Sequence, residues 1–286
     1  MKRLSSWFAP FAMRPTALLG LIAILAIVFA AIFAPFLVIF PPDAIEPIAR
    51  LSPPSGTHWF GTDQFGRDTF SRVIYGSRLA LLIGVGVVSF ALVTGVPAGV
   101  ASALFPRLGS VLMRIIDVLM SFPAMLLALG LIVVMGQGVG NAILAIGVVY
   151  LTTTSRITYG LTLRLRSETY VEAARSMGSG SLWLVLKHIL PNLISPLMVQ
   201  ASFVFAFAQL SAASLDFLGL GAPPDIPSWG NMLSESRTFI TRAPWLLIFP
   251  GLMIVIIAFS LNLVGDAIRD RLDPRLRQQF SKRGQS

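Results

Sequence analysis

Cysteine is absent from this 286-residue chain, and charged residues make up only 12% of it. The missing thiols exclude disulfides, thiol catalysis and thiolate metal sites. The two histidines, His58 and His188, fall outside the predicted spans. No HExxH zinc motif and no paired intramembrane histidines for haem can form from them. The only lysines are Lys2, Lys187 and Lys282, and no GxxxxGK[ST] phosphate loop occurs, so the chain has no P-loop of its own. Two peripheral histidines also give no convincing Ser-His-Asp arrangement. The sequence therefore predicts no catalytic, metal or cofactor site. A soluble domain carries about 25% charged residues. Here 55% of residues are apolar, which excludes both a disordered chain and a single water-soluble globule.

The gaps between charges are informative. Residues 15–42, 79–106, 118–155, 188–215 and 243–265 contain no Asp, Glu, Lys or Arg, in runs of 28, 28, 38, 28 and 23 residues. A helix crossing a bilayer needs about 20 apolar residues, so the chain reads as an integral membrane protein. The longest run would measure about 57 Å as one helix, against a hydrocarbon core of about 30 Å. Gly136-Gln137-Gly138-Val139-Gly140-Asn141 reads as a turn that splits it. Six spans result, at 17–40, 79–104, 113–135, 142–159, 192–214 and 244–264. The first is longer than the apolar part of a secretory signal and reads as a retained anchor.

With both termini in the cytoplasm, 16 of the 22 basic residues lie inside. Cytoplasmic loops carry such an excess, so orientation and lipid headgroups explain the net charge of +9 without nucleic acid. The organisation is an inner tail (1–16), the first span, an outer loop (41–78), a five-helix core (79–264) and an inner tail (265–286). An inner segment, 160–191, interrupts the core, and a second outer loop covers 215–243.

Ionisable residues inside a membrane are functional candidates. Asp117 qualifies, near the inner end of the third span; Arg114, three residues earlier, shares its helix face and suits a rim ion pair. The alternative is a pathway role. No deep row of such groups is present, which disfavours proton coupling. In the first outer loop, Asp68 reads as a helix N-cap and forms an i,i+4 pair with Arg72. Trp229 and Trp245 suit the aromatic belt at the membrane surface. Gly95 and Gly99 form a GxxxG that predicts close helix packing.

Residues 160–191 carry the strongest signal. Tyr159 to Met177 reads as a helix ended by Gly178 and Gly180. Ser181 can cap a second, short helix, which Pro191 ends or kinks before the fifth span. Glu172 and Arg175 flank small Ala173 and Ala174, giving a knob for a partner's groove. From composition alone, a loop lying on the chain's own helices fits equally well.

Glu172-Ala173-Ala174, Gly178 and Ile189-Leu190-Pro191-Asn192 resemble the EAA motif of ABC importer permeases. Gly61-Thr62-Asp63, Gly66-Arg67-Asp68, Ser71-Arg72, Phe122-Pro123, Phe217-Leu218-Gly219-Leu220-Gly221, Pro227-Ser228-Trp229-Gly230-Asn231 and Leu272-Asp273-Pro274 resemble the C-type subunit of dipeptide, oligopeptide and nickel permeases. One departure is Asp216, an acid inside a run where the family carries it earlier. The resemblance spans about residues 15–277.

It implies an all-α, type I importer permease with six transmembrane helices in a bacterial cytoplasmic (inner) membrane. It also implies a second homologous permease as heterodimer partner, two ATP-binding subunits that hold ATP and Mg, and a periplasmic or extracellular solute-binding protein. The 172–178 segment would be the coupling helix, with Glu172, Ala173, Ala174, Arg175 and Gly178 at the ATPase. Asp63, Arg67, Asp68 and Trp229 would be available to outer partners, and transport would run by alternating access. A stand-alone carrier or channel, a nickel-chelate importer and a membrane scaffold are the alternatives.

Overall fold

The computed structural model describes residues 15–272. The tail residues Lys2, Arg3, Arg14, Arg275, Arg277, Lys282 and Arg283, and Asp273-Pro274 of the resemblance, lie outside them. Apart from one isolated bridge between Thr62 and Asp68, the regular structure among the described residues is helical.

Helix α1 (Pro15–Ile32) ends at a bend, and a four-residue helix α2 (Ala34–Leu37) follows. The expected continuous first span therefore stops short, because Pro35 lacks an N–H and fits a first turn rather than a helix interior. Gly20 lets α1 approach the last helix, where an added Cβ would meet Ser260 O at 2.9 Å.

Helix α3 (Thr69–Leu104) has 36 residues, about 54 Å at 1.5 Å each. It starts ten residues before the expected boundary at 79 and projects beyond a bilayer core. The charge gap gave the later start because Arg72 and Arg78 interrupt it. Both are accommodated: Arg72 is buried, and Arg78 donates to Ala31 O and Ile32 O at 2.6 and 3.3 Å.

The third span is not the straight helix expected over 113–135. Helix α4 (Pro106–Met120) and helix α5 (Ala124–Met135) meet at 96° across Ser121-Phe122-Pro123. Proline disfavours helical backbone in the residue before it and removes a helical donor. A glycine turn follows, with Gly136 and Gly138 at φ +86° and +142°. Helix α6 (Val139–Arg166) then starts within the residues expected to be turn.

Helices α3 and α6 form the most extensive packing in the bundle. Gly95 lies against Leu151 O and Thr154, and Gly99 against Ser155 O and Thr158. The GxxxG thus serves an internal seam. Helix α7 (Thr169–Ser176) and helix α8 (Ser181–Leu184) follow, with a π turn (Val185–Ile189) leading into helix α9 (Leu190–Phe217). Helix α10 (Trp229–Ser236) covers the outer end, and helix α11 (Trp245–Leu272) packs on α9 and α1.

The main core joins Ile83 and Val87 of α3, Ile132 of α5, Ile146 of α6 and Val204 and Leu215 of α9. Other large apolar side chains face outward, Val134 at 86% exposure and Phe259 at 64%. Five helices can each cross a membrane by length and composition, and the α4–α5 pair makes six if it counts as one span. Lipid satisfies such a surface, while helical backbone needs no partner in it.

Candidate functional site

The connection between α6 and α9 has its own small core. Val171 and Ala174 of α7 pack on Leu184 of α8, all three buried. The chain does not run as one helix from Tyr159 to Met177. It breaks at Ser167, whose hydroxyl donates to Arg164 O at 2.8 Å and competes with the helical ladder. Helix α7 ends in a glycine turn. Gly178 takes φ +87° and its N–H reaches Arg175 O at 2.9 Å, while Ser179 N–H reaches Ala174 O at 3.2 Å. That pair of bonds satisfies the last carbonyls of a helix and needs a left-handed residue at the first position.

Gly180 has ordinary extended backbone and occupies the N-cap of α8 itself, so Ser181 does not cap it. Pro191 does not separate α8 from the fifth span. It sits in the first turn of α9, and the π turn before it absorbs the register change.

Of the five residues expected at an ATPase, Glu172, Ala173, Arg175 and Gly178 are exposed. Ala174 is turned inward onto Leu184, which corrects its assignment to the contact face. Apolar Met177, Leu182, Trp183 and Leu186 extend the exposed surface, Met177 at 81%. His188 lies between Tyr170 and Trp183, at ring-centroid distances of 5.8 and 4.9 Å. Asn192 donates to Tyr170 Oη at 3.3 Å and His188 O at 2.6 Å, tying the knob to the start of α9.

Asp117 pairs with Arg156 of α6 and not with Arg114; both partners are half exposed. Arg156 ends the 38-residue charge gap that Asp117 opens, which was the available signal for this pair.

At the outer end, residues expected to face partners are inside the chain instead. Asp63 accepts from Phe65 N–H at 2.8 Å, Arg67 N–H at 2.9 Å and Arg67 Nε at 2.5 Å. Arg67 Nη2 reaches Glu235 Oε2 at 2.8 Å, and Gln64 Nε2 reaches the same oxygen at 3.0 Å. Arg72 sits between Asp63 and Glu235 at 3.9 and 3.8 Å, only 1% exposed. The expected Asp68–Arg72 ion pair is therefore replaced. Asp68 does cap α3, accepting from Ser71 N–H at 2.8 Å, and it also holds His58 Nδ1 at 2.9 Å.

Trp229 is buried and donates to Val73 O at 2.9 Å, and Trp245 donates to Thr62 O at 3.2 Å. Neither acts as a free membrane-belt anchor; both bolt the outer cap to the bundle. Asp216, left open by the resemblance, accepts from Ala222 N–H at 2.7 Å and Ser228 Oγ at 2.6 Å and organises the last outer loop. Glu235 carried no sequence motif. Among the described residues, no group of three His, Asp or Glu side chains could hold a metal ion.

The family model described as "binding-protein-dependent transport system inner membrane component" matches residues 95–278, and that of the "N-terminal TM domain of oligopeptide transport permease C" matches residues 5–54. A dipeptide transport system permease protein of Alkalihalophilus pseudofirmus is 41% identical over 262 residues, covering 91% of this chain and 86% of that one. A di/tripeptide transport system permease protein of Pseudomonas aeruginosa is 40% identical over 281 residues, covering 96% and 93%. Among solved structures, an inward-facing methionine ABC transporter chain aligns with a TM-score of 0.61 at 20% identity, covering 71% of this chain and 97% of that one. At that identity the likeness concerns the fold.

Proposed function

Because this chain belongs to the family of binding-protein-dependent transport system inner-membrane components, we propose that it forms half of a peptide pathway driven through the α7–α8 knob. It is the membrane permease subunit of an ABC importer and not itself an enzyme; ATPase activity resides in separate subunits. Family membership brings ATPase and substrate-binding subunits as partners.

The finer reading has three parts. The substrate is a dipeptide or short oligopeptide, the class named for both relatives above. The assembly pairs this chain with a second, similar permease and two ATPases that hold ATP and Mg. Both termini and the knob lie in the cytoplasm, and the loops at 38–68 and 218–244 lie outside. ATP binding closes the ATPases, the knob moves with them, and the pathway opens outward; hydrolysis resets it. The Asp117–Arg156 pair, polar and half exposed beside apolar Val118 and Ile115, suits a watered inner mouth better than lipid.

One observation carries the coupling role. The knob presents Glu172, Ala173, Arg175 and an apolar rim outward while its own core and the Gly178 turn fix their geometry. Small residues permit close approach, flanking charges set register, and a preformed turn lowers the ordering cost of docking.

The test is to co-purify the importer with Glu172→Lys and Ala173→Arg combined in this chain. The double variant is expected to lose its ATPases at moderate detergent while the permease pair stays folded. Full retention of both ATPases and of peptide uptake would remove the knob from the mechanism.

A further inference from the structure

Helix α2 and the chain that follows it border an open cavity of about 580 Å³ that the transport reading does not use. One wall comes from the chain after α2, with Phe40, Pro42 and Asp43. The other comes from Tyr75 of α3 and from Asp225 and Pro227 of the last outer loop. The structure builds this groove firmly. Phe40 lies tilted against His58 with ring centroids 4.7 Å apart, and His58 is fixed to Asp68, the cap of α3. Tyr75 lies under the Arg78 guanidinium at 5.3 Å, which is itself bound to the carbonyls that end α1. Several prolines line the walls, and proline loses little freedom on binding.

The charge of the groove runs against that of the chain. Asp43 and Asp225 both line it and are exposed, and among the described residues no Lys or Arg lines it. Arg78, the basic group bonded nearby, is turned toward Ala31 and Ile32. An apolar, proline-stiffened groove with carboxylates at its mouth fits a segment with apolar contact surface and one or more Lys or Arg side chains. Anionic lipid headgroups are disfavoured by the same carboxylates.

We infer that this groove is a docking site for a basic segment of the solute-binding subunit on the outer face, steered by Asp43 and Asp225. The inference rests on the importer reading above. Charged rims of this kind act through encounter rate and salt dependence as well as affinity. Neither carboxylate belongs to the fold's hydrogen-bonded latch, so replacing them leaves the cap intact.

The experiment uses the complete importer in lipid nanodiscs with its purified solute-binding protein. The readout is the binding-protein concentration that gives half-maximal stimulation of ATPase activity. Asp43→Asn with Asp225→Asn is expected to raise that concentration about tenfold, as for two exposed ion pairs, with basal ATPase activity unchanged. Asp43→Lys with Asp225→Lys is expected to raise it further, and both variants should lose part of the wild-type salt dependence. An unchanged half-stimulating concentration overturns the groove as a docking site and leaves the importer reading standing. An altered dependence on transported solute at unchanged binding-protein affinity also overturns it, by assigning the groove to the solute. If the binding protein fails to stimulate the wild-type complex, the importer reading falls, and the inference with it.

Discussion

Gly178 and Gly180 stand two residues apart and do different things. Gly178 holds φ +87°, where an L side chain is strained, although no atom lies within 4 Å of an added Cβ. Gly180 has equally open space and ordinary backbone. Gly178→Ala should therefore cost about 1–2 kcal/mol through the left-handed conformation alone and loosen the knob. Gly180→Ala should be nearly neutral. Peptide uptake at matched expression checks this: a marked loss is expected for the first variant and none for the second. Equal uptake in both would show that the turn geometry is not needed.

At this scale the sequence was legible where a residue acts on its own backbone neighbours. Gly178 as a helix stop and Asp68 as a cap could both be read from local chemistry. It was not legible where a side chain meets a distant one. Asp68 and Arg72 have the right spacing for a pair, yet Asp63 and Glu235 claim Arg72, and Glu235 lies 163 positions along the chain from it. Trp229 reads as a surface aromatic until Val73 O supplies its acceptor inside.

Among the elements, the α3–α6 seam depends on missing side chains. A Cβ on Gly99 would fall 2.6 Å from Ser155 O and 2.7 Å from Thr158 Cβ. Backbone cannot yield as a flexible side-chain tip can, so Gly99→Ala should destabilise the bundle by about 1–3 kcal/mol. Gly130 of α5 has nothing within 4 Å, and Gly130→Ala should be neutral or stabilising by up to about 1 kcal/mol through helix propensity. Thermal unfolding in detergent, comparing the two variants, reads the difference. An unperturbed Gly99→Ala would mean that the two helices are not in van der Waals contact there.

Apolar runs gave the order of the long helices well, because lipid forces long uncharged segments. They gave ends poorly. Helix α3 extends past the charge gap because its arginines find carbonyls and carboxylates, and α4–α5 bends because proline at 123 stops a helix that hydropathy alone would continue.

For the whole molecule, the bent pair decides topology. If α4 and α5 together cross the membrane, residues 56 and 176 face opposite sides; if the pair folds back, they face the same side. The chain has no cysteine, so single replacements can be labelled without background. Gly56→Cys, at an open outer site, should react in intact cells with a reagent that cannot cross membranes. Ser176→Cys should react only after permeabilisation. Labelling of both in intact cells would contradict six crossings.

With six crossings, the surplus of basic residues would collect on the face where the knob lies, as the bias of cytoplasmic segments requires. The central claim, that this chain opens a pathway only when ATPases move it, is tested most directly in proteoliposomes. The assembled importer, with its solute-binding protein, should accumulate labelled dipeptide only when ATP reaches the ATPase side, and this chain alone should not. Accumulation without ATP, or by this chain by itself, would contradict the account.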